Sequence, residues 1–151
     1  MKNSGAFRAI LITGLIVGAM DIASAIVLTL LRGGTIMRLM QFIASGLLGK
    51  SAFQGGLATA ALGLALHFVI AFGLVTVFYF ASRKLAFLRQ RPVLSGIAYG
   101  LIVFAVMNLI VLPLSAATPR HSLSGDLIQI AIHMFIIGLP TSLLLHRLSH
   151  E

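Results

Sequence analysis

The sequence contains no cysteine and no tryptophan, and only 9% of its 151 residues are charged. Without cysteine, the chain can form no disulfide, no thiolate nucleophile and no cysteine-based zinc or iron–sulfur site. Acidic residues are the scarcest charged type, because Asp21, Asp126 and Glu151 are the only three. A soluble domain has roughly 25% charged residues. The low charge therefore excludes an ordinary water-soluble domain.

Long apolar runs take the place of the missing charge, since 59% of the residues are hydrophobic and the mean hydropathy is +1.07. A helix needs about 20 apolar residues to cross roughly 30 Å of hydrocarbon. Four runs are long enough, at residues 9–31, 57–81, 93–114 and 127–145. We therefore predict an all-α integral membrane protein in which residues 1–151 form one membrane domain, a four-transmembrane-helix bundle.

The first run also has features of a signal peptide, because Lys2 and Arg8 precede it and Ala23-Ser24-Ala25 resembles a cleavage site. However, the apolar run continues to Leu31, and Asp21 would be unusual so close to a cleavage site. We predict an uncleaved first span.

Residues 32–56 are too polar to cross a membrane and too apolar to form an ordinary loop. Their apolar side chains recur at helical spacing, and their polar side chains fall on another face. We predict an amphipathic helix at residues 35–48, lying in the membrane interface or forming a re-entrant lid, followed by a break at Gly55-Gly56. The apolar set is Ile36, Leu39, Met40, Ile43 and Leu47, and the polar set is Arg38, Gln41 and Ser45.

The formal charge of +8 comes from basic residues that stand at the ends of the apolar runs and form no stripe with interleaved aromatics, so we predict no nucleic-acid partner. The termini and the second loop carry seven Lys or Arg, and the other two loops carry four. Because cytoplasmic loops are enriched in Lys and Arg, we predict that both termini are cytoplasmic. The seven are Lys2, Arg8, Arg83, Lys84, Arg89, Arg91 and Arg147, and the four are Arg32, Arg38, Lys50 and Arg120.

Four basic residues of the second loop lie directly between two predicted spans: Arg83, Lys84, Arg89 and Arg91. We expect them at the membrane interface, where they can contact anionic lipid head groups. The same surface could dock a larger membrane complex or a second copy of the chain.

An internal repeat relates the two halves of the sequence. Gly14-Leu15-Ile16-Val17 recurs as Gly100-Leu101-Ile102-Val103, and Ala65-Leu66-His67-Phe68 resembles Ala131-Ile132-His133-Met134. With a one-residue offset, Met107-Asn108 echoes Met20-Asp21. We predict two tandem helical-hairpin repeats related by an axis along the membrane normal.

The repeat places Asp21, His67, Asn108 and His133 at similar depth near the membrane midplane, and Gln129 lies on the face of His133. Ionisable residues at this depth should face protein or water, because exposure to lipid is costly. Glycines at helical spacing accompany these residues and allow close packing of the spans. They are Gly14, Gly18, Gly63, Gly96 and Gly100.

This polar midplane site supports four interpretations. It could be structural, with Asp21 hydrogen-bonded to His67 or His133 to fix the register of the helices. It could be a pathway for protons, a small cation or a small solute, with Pro113 and Pro140 freeing backbone carbonyls to line a cavity.

The third interpretation is a haem-b electron-transfer protein with His67 and His133 as axial ligands, and the fourth is an accessory subunit of a membrane complex. We predict no other cofactor and no metal site. We also predict no enzyme activity, because the sequence has no GxSxG, no HExxH and no paired catalytic carboxylates.

From His67 to Arg147 the sequence resembles the bacterial YagU-like inner-membrane proteins. The resemblance implies a multi-pass protein of the bacterial inner membrane, in a family without an established biochemical activity. It also implies that a histidine can stand near the position of Asn108, so that a three-histidine metal site would be incomplete here, since Asn is a poor ligand for zinc or copper. The matching features are His67, Tyr79, the basic loop before Pro92, Gly96, Gly100, Asn108, Pro113-Leu114, Thr118-Pro119, His133 and Arg147.

Overall fold

The computed structural model describes residues 2–118 and 122–148, so Arg120 and Pro119 lie outside the described residues. Four helical segments are long and apolar enough to cross a membrane, and we number them spans 1 to 4. Every predicted apolar run lies inside one span, and the described residues form no strand. The predicted all-α membrane bundle is confirmed. The spans are Gly5–Leu31, Gly56–Lys84, Pro92–Leu114 and Leu123–Leu148.

Span 1 belongs to the helix Lys2–Leu31 and packs against spans 2 and 4, while span 3 packs mainly against span 4. One end of the bundle brings together the start of span 1 and the ends of spans 2 and 4, and we call it the terminal end. A buried cluster holds it together, made of Ala9, Val75, Phe78, Tyr79 and Leu145. A short helix, Ala86–Gln90, joins spans 2 and 3 there.

The opposite end, which we call the cap end, carries the helix Ile36–Leu48, here named the cap helix. Thr35 begins it, because its Oγ1 accepts a hydrogen bond from the backbone N–H of Arg38 at 3.3 Å. Gly49, with φ of 61°, ends it, and a 3₁₀ turn at Gly49–Gln54 leads into span 2. The amphipathic segment predicted at 35–48 thus forms a helix.

The cap helix packs on the bundle through its apolar face. Met40 joins a buried cluster with Ile22 of span 1 and Ala60 of span 2. A Cβ atom on Gly63 would collide with the carbonyl oxygen of Met40, so the cap helix crosses span 2 at backbone contact distance. Near its other end, the carbonyl oxygen of Gly46 accepts a hydrogen bond from the N–H of Ala116 at 3.0 Å. The cap helix therefore touches spans 1 and 2 and the end of span 3.

Spans 3 and 4 each contain one wide π-helical turn, at Met107–Val111 and His133–Gly138. A proline lies just beyond each turn, Pro113 and Pro140. Proline lacks an N–H and crowds the carbonyl four residues earlier, and a π bulge is one way to accommodate such a break. The wide turns divide span 3 into Pro92–Val106 and Leu112–Leu114, and span 4 into Leu123–Ile132 and Leu139–Leu148.

Candidate functional site

A cavity of about 130 Å³ lies inside the bundle, beneath the cap helix. Each span contributes a side chain to its lining: Asp21 from span 1, His67 from span 2, Met107 from span 3 and His133 from span 4. Ile43 of the cap helix borders the cavity as well. Three ionisable side chains from three different spans therefore meet around one internal space.

The three ionisable residues lie at one depth. Asp21 precedes the cap end of its span by ten residues, and His67 and His133 follow the cap ends of theirs by eleven and ten. At 1.5 Å per residue each is about 15 Å from the cap end, which is half of a hydrocarbon layer roughly 30 Å thick. The side chain of His67 is 12% exposed and that of Asp21 is 29% exposed, so neither is fully buried.

His67 is oriented by a hydrogen bond between spans. Its Nε2 lies 2.9 Å from the carbonyl oxygen of Gly18 in span 1. Because a carbonyl oxygen only accepts, Nε2 must carry the proton and donate it. The second nitrogen, Nδ1, lies 3.9 Å from Oδ2 of Asp21. That distance is too long for a direct hydrogen bond but short enough for an ion pair when His67 is protonated.

His133 is oriented within its own span. Its Nδ1 lies 2.7 Å from the carbonyl oxygen of Gln129, one turn earlier, and therefore donates to it. Nε2 remains as the ring nitrogen that can exchange a proton. The ring also stacks edge-on against Phe104 of span 3, with 5.6 Å between the ring centroids. Each histidine is thus held by one nitrogen and keeps the other for chemistry.

Two predicted members of the site lie outside the cavity lining. Asn108 donates its side-chain amide to the carbonyl oxygen of Phe104 at 2.9 Å, within its own helix. Gln129 takes part through its backbone carbonyl, which holds His133. Met107 lies on the cavity instead. When the two halves are aligned from Gly14 and Gly100 without any offset, Asp21 is matched with Met107. This alignment indicates that Met107 lies on the cavity.

Four of the five predicted packing glycines lie at contacts between spans, and Gly63 lies against the cap helix. A Cβ on Gly14 would overlap the ring of Phe72, and one on Gly18 would lie 2.8 Å from the ring of Phe68. On the other side of the bundle, a Cβ on Gly100 would collide with the carbonyl oxygen of His133. Gly96 is similarly close to Leu139, with 2.7 Å from its added Cβ to that Cα. These close approaches pack span 2, which carries His67, against span 1, and span 4, which carries His133, against span 3.

Spans 1 and 4 are antiparallel, and residues at intervals of four along each span form successive layers between them. Ala9 and Leu145 share the terminal cluster, Val17 and Ile137 line the cavity together, and so do Asp21 and His133. The layer between the first two pairs contains Thr13 and Thr141, both 0% exposed. Neither hydroxyl has a hydrogen-bond partner among the described residues. A layer of buried hydroxyls therefore lies one layer beyond the cavity, toward the terminal end.

Two further buried hydroxyls continue this polar row, those of Ser95 and Ser142, each 1% exposed. Ser142 follows Thr141 directly, and an added Cβ on Gly96 would lie 3.1 Å from Cβ of Ser142, which places spans 3 and 4 in contact there. Within the described part of the chain neither hydroxyl has a partner. Sequence reasoning missed all four hydroxyls, although Thr13 precedes Asp21, and Thr141 follows His133, by two helical turns on the same face.

The described residues contain no group of three His, Cys, Asp or Glu side chains close enough to hold a metal ion. A haem iron would need an imidazole nitrogen from each histidine. The nitrogen that each ring keeps clear of its backbone carbonyl, Nδ1 of His67 and Nε2 of His133, is the one available either for ligation or for proton exchange.

Fold and site together define an all-α membrane bundle with a mainly apolar cavity that three ionisable side chains line. The chain matches no family model, no curated protein and no solved structure. The resemblance to YagU-like proteins therefore stays a prediction that rests on its motifs.

Proposed function

We propose that this protein provides a pathway for protons, or for a small cation or solute, through the cavity between Asp21, His67 and His133. The observation that carries the proposal is the convergence of these three side chains, from three spans, on one internal space of about 130 Å³. A cavity with several polar partners can hold water, and a carboxylate and two imidazoles can each accept and release a proton. Ionisable residues inside a membrane bundle characteristically mark such pathways.

His67 and Asp21 form the central proton-exchange pair of this pathway. Nδ1 of His67 has no proton while the ring is neutral, because Nε2 donates to Gly18. A proton that enters the cavity can bind at Nδ1 and form an ion pair with Asp21 across 3.9 Å, or bind to the carboxylate itself. Release toward His133, which lines the same cavity, passes the proton across the bundle.

The buried hydroxyls supply a route from the cavity to the terminal end. A hydroxyl can donate and accept at once, but Thr13, Thr141 and Ser142 are not bonded to one another, so a chain of hydrogen bonds through them needs bridging water. A single apolar layer, Val17 and Ile137, separates them from Asp21 and His133. In the proposed pathway this apolar layer is the barrier between the cavity and the buried hydroxyls.

The proposal includes a tandem repeat, and the contacts within the two hairpins support it. Residue 18 of span 1 touches His67, and its counterpart, Phe104 of span 3, touches His133. Ala71 and Ile137, which follow the two histidines by four residues, both line the cavity. The pathway would then lie on the axis that relates the hairpins. We also place the chain in a bacterial inner membrane with cytoplasmic termini, on the strength of its basic residues and motifs.

The test is proton flux into liposomes that contain the purified protein and a pH-sensitive dye, driven by an imposed membrane potential. A second arm uses an imposed sodium gradient and a sodium-sensitive dye. We expect flux in one arm and its loss in Asp21→Asn. Asp126→Asn is the matched control, because it removes the same charge in span 4 outside the cavity lining. Flux no greater than in empty vesicles in both arms would overturn the proposal.

A haem-b protein and an accessory subunit are the alternatives, and a spectrum separates the first of them from the pathway. Haem bound by two imidazoles would give a Soret absorption band that disappears in His67→Ala or His133→Ala. We expect the purified protein to be colourless. If the protein were an accessory subunit, the isolated protein would show no flux, and flux would be restored when a partner is added.

A further inference from the structure

A second recess lies at the terminal end, bounded by the end of span 2, the helix Ala86–Gln90 and the end of span 4. We call it the terminal crevice, and its volume is about 50 Å³. Its polar lining consists of Ser82, Arg83, Arg89, Ser142 and His146. Because a water-sized group needs about 10–15 Å³ of such volume, the crevice has room for a small polyatomic group.

The crevice is strongly cationic. Arg83 and Arg89 line it from two different helices, and the two carboxylates among the described residues, Asp21 and Asp126, lie at the cavity and near the cap end. Two guanidinium groups around a small recess are suited to a tetrahedral oxyanion, because each can donate two parallel hydrogen bonds. The positive charge therefore favours an anionic phosphate group over a neutral ligand.

A buried hydroxyl completes the donor set. Ser142 is 1% exposed, lines the crevice and has no hydrogen-bond partner among the described residues. An unpartnered buried hydroxyl lowers stability unless an acceptor reaches it. The other serine, Ser82, already donates to the carbonyl oxygen of Tyr79 at 2.7 Å. Ser142 is therefore the hydroxyl that can donate to an oxyanion in the crevice.

The four basic residues of this loop are not equivalent. All four side chains are exposed, but only Arg83 and Arg89 line the crevice, whereas Lys84 and Arg91 lie outside its lining. A loop whose charge only sets the orientation in the membrane would use all four alike. The crevice divides them into two that line it and two that do not.

We propose that the terminal crevice binds a phosphate group, held by Arg83, Arg89 and Ser142. The group can belong to an anionic lipid, since the crevice lies at the end of two spans where head groups are found, or it can be free phosphate. This site is separate from the cavity, and although Ser142 is shared with the proposed hydroxyl route, phosphate binding does not depend on the proposed pathway.

The experiment uses the purified full-length protein in detergent and measures bound ligand by native mass spectrometry. One arm titrates inorganic phosphate, and the other titrates phosphatidylglycerol, with phosphatidylcholine as the reference lipid. We expect Arg83→Gln and Arg89→Gln each to weaken binding by about tenfold or more, which is typical for the loss of a charge-assisted hydrogen bond. Lys84→Gln and Arg91→Gln are matched controls with the same loss of charge, and we expect less than about a twofold change because neither side chain lines the crevice and charges at a distance are screened.

Two more variants separate a built site from a charged surface. Ser142→Ala keeps every charge and should still weaken binding, and Arg83→Lys keeps the charge but loses the forked donor and should bind less tightly than the parent. Saturable binding in the phosphate arm identifies free phosphate as sufficient, and binding in the lipid arm alone identifies a lipid head group. Equal losses of binding in all four Arg and Lys variants would overturn the proposal. So would a protein that binds no inorganic phosphate and binds phosphatidylglycerol no better than phosphatidylcholine.

Discussion

His67 of span 2 donates its Nε2–H to the carbonyl oxygen of Gly18 in span 1, across 2.9 Å. This bond leaves Nδ1 facing Asp21, three residues further along span 1. The absence of a side chain on Gly18 makes it possible, because an added Cβ would lie 2.8 Å from the ring of Phe68, beside His67. One glycine thus sets both the separation of the spans and the nitrogen of His67 that is left for proton exchange.

His67→Phe separates the structural contribution of this bond from its chemical one. The new ring can keep the contact with Phe68, which lies edge-on at 5.4 Å, but it has no nitrogen. We expect the free energy of unfolding to fall by about 0.6 kcal/mol, the average for a hydrogen bond inside a membrane bundle, and the flux to disappear. Unfolding in mixed SDS micelles, followed by circular dichroism, measures the first quantity. A loss of several kcal/mol with unchanged flux would show that His67 serves only to fix the helices.

Gly100→Ala should weaken the contact between spans 3 and 4. The added methyl group would collide with the carbonyl oxygen of His133, a backbone atom that cannot move aside cheaply. We expect a loss of about 1–3 kcal/mol, the usual cost of overpacking. Gly73→Ala is the control, because nothing lies within 4 Å of its added Cβ, and removing a glycine from a helix favours folding by up to about 1 kcal/mol. The same SDS titration compares them, and equal effects would contradict the close packing.

Thr13→Val and Thr141→Val test the hydroxyl layer. Valine keeps the shape of threonine and removes a hydroxyl that has no partner among the described residues. We expect each variant to be at least as stable as the parent, because a buried unpaired hydroxyl costs about 1–3 kcal/mol, and yet to lose most of the proton flux. Thr76→Val makes the same change in span 2 outside this layer and should keep its flux. Full flux in the Thr13 and Thr141 variants would exclude this route.

The absence of cysteine permits a direct test of orientation. Lys50→Cys places a single thiol at the cap end, and Lys84→Cys places one at the terminal end, where both parent residues are exposed. An impermeant maleimide added to intact cells should label the first variant only, because the terminal end is the proposed cytoplasmic side. Labelling both variants from outside, or Lys84→Cys alone, would contradict the orientation.

The spans could be predicted almost to their ends, because a run of about 20 apolar residues has few stable alternatives to a membrane helix. The cap helix was likewise predictable from the spacing of its apolar residues. Its contact with Gly63 was not, since the close approach of two backbones leaves no pattern beyond the glycine itself. Asp21, His67 and His133 could be grouped because the repeat placed them at one depth. Depth alone does not fix rotation about the helix axis, and for this reason Asn108 was expected where Met107 lies.

The sequence alone determined that this chain is a four-span helical bundle with ionisable residues at mid-depth, because hydrophobic length and the cost of burying charge act locally along the chain. The tertiary structure decided which ring nitrogen of each histidine is free, which hydroxyls are buried without partners, and which two of four basic residues share a crevice. These properties depend on distances of a few ångströms between different helices. Such distances are set by how glycine contacts and proline-associated wide turns rotate each span against its neighbours, and linear spacing does not record them.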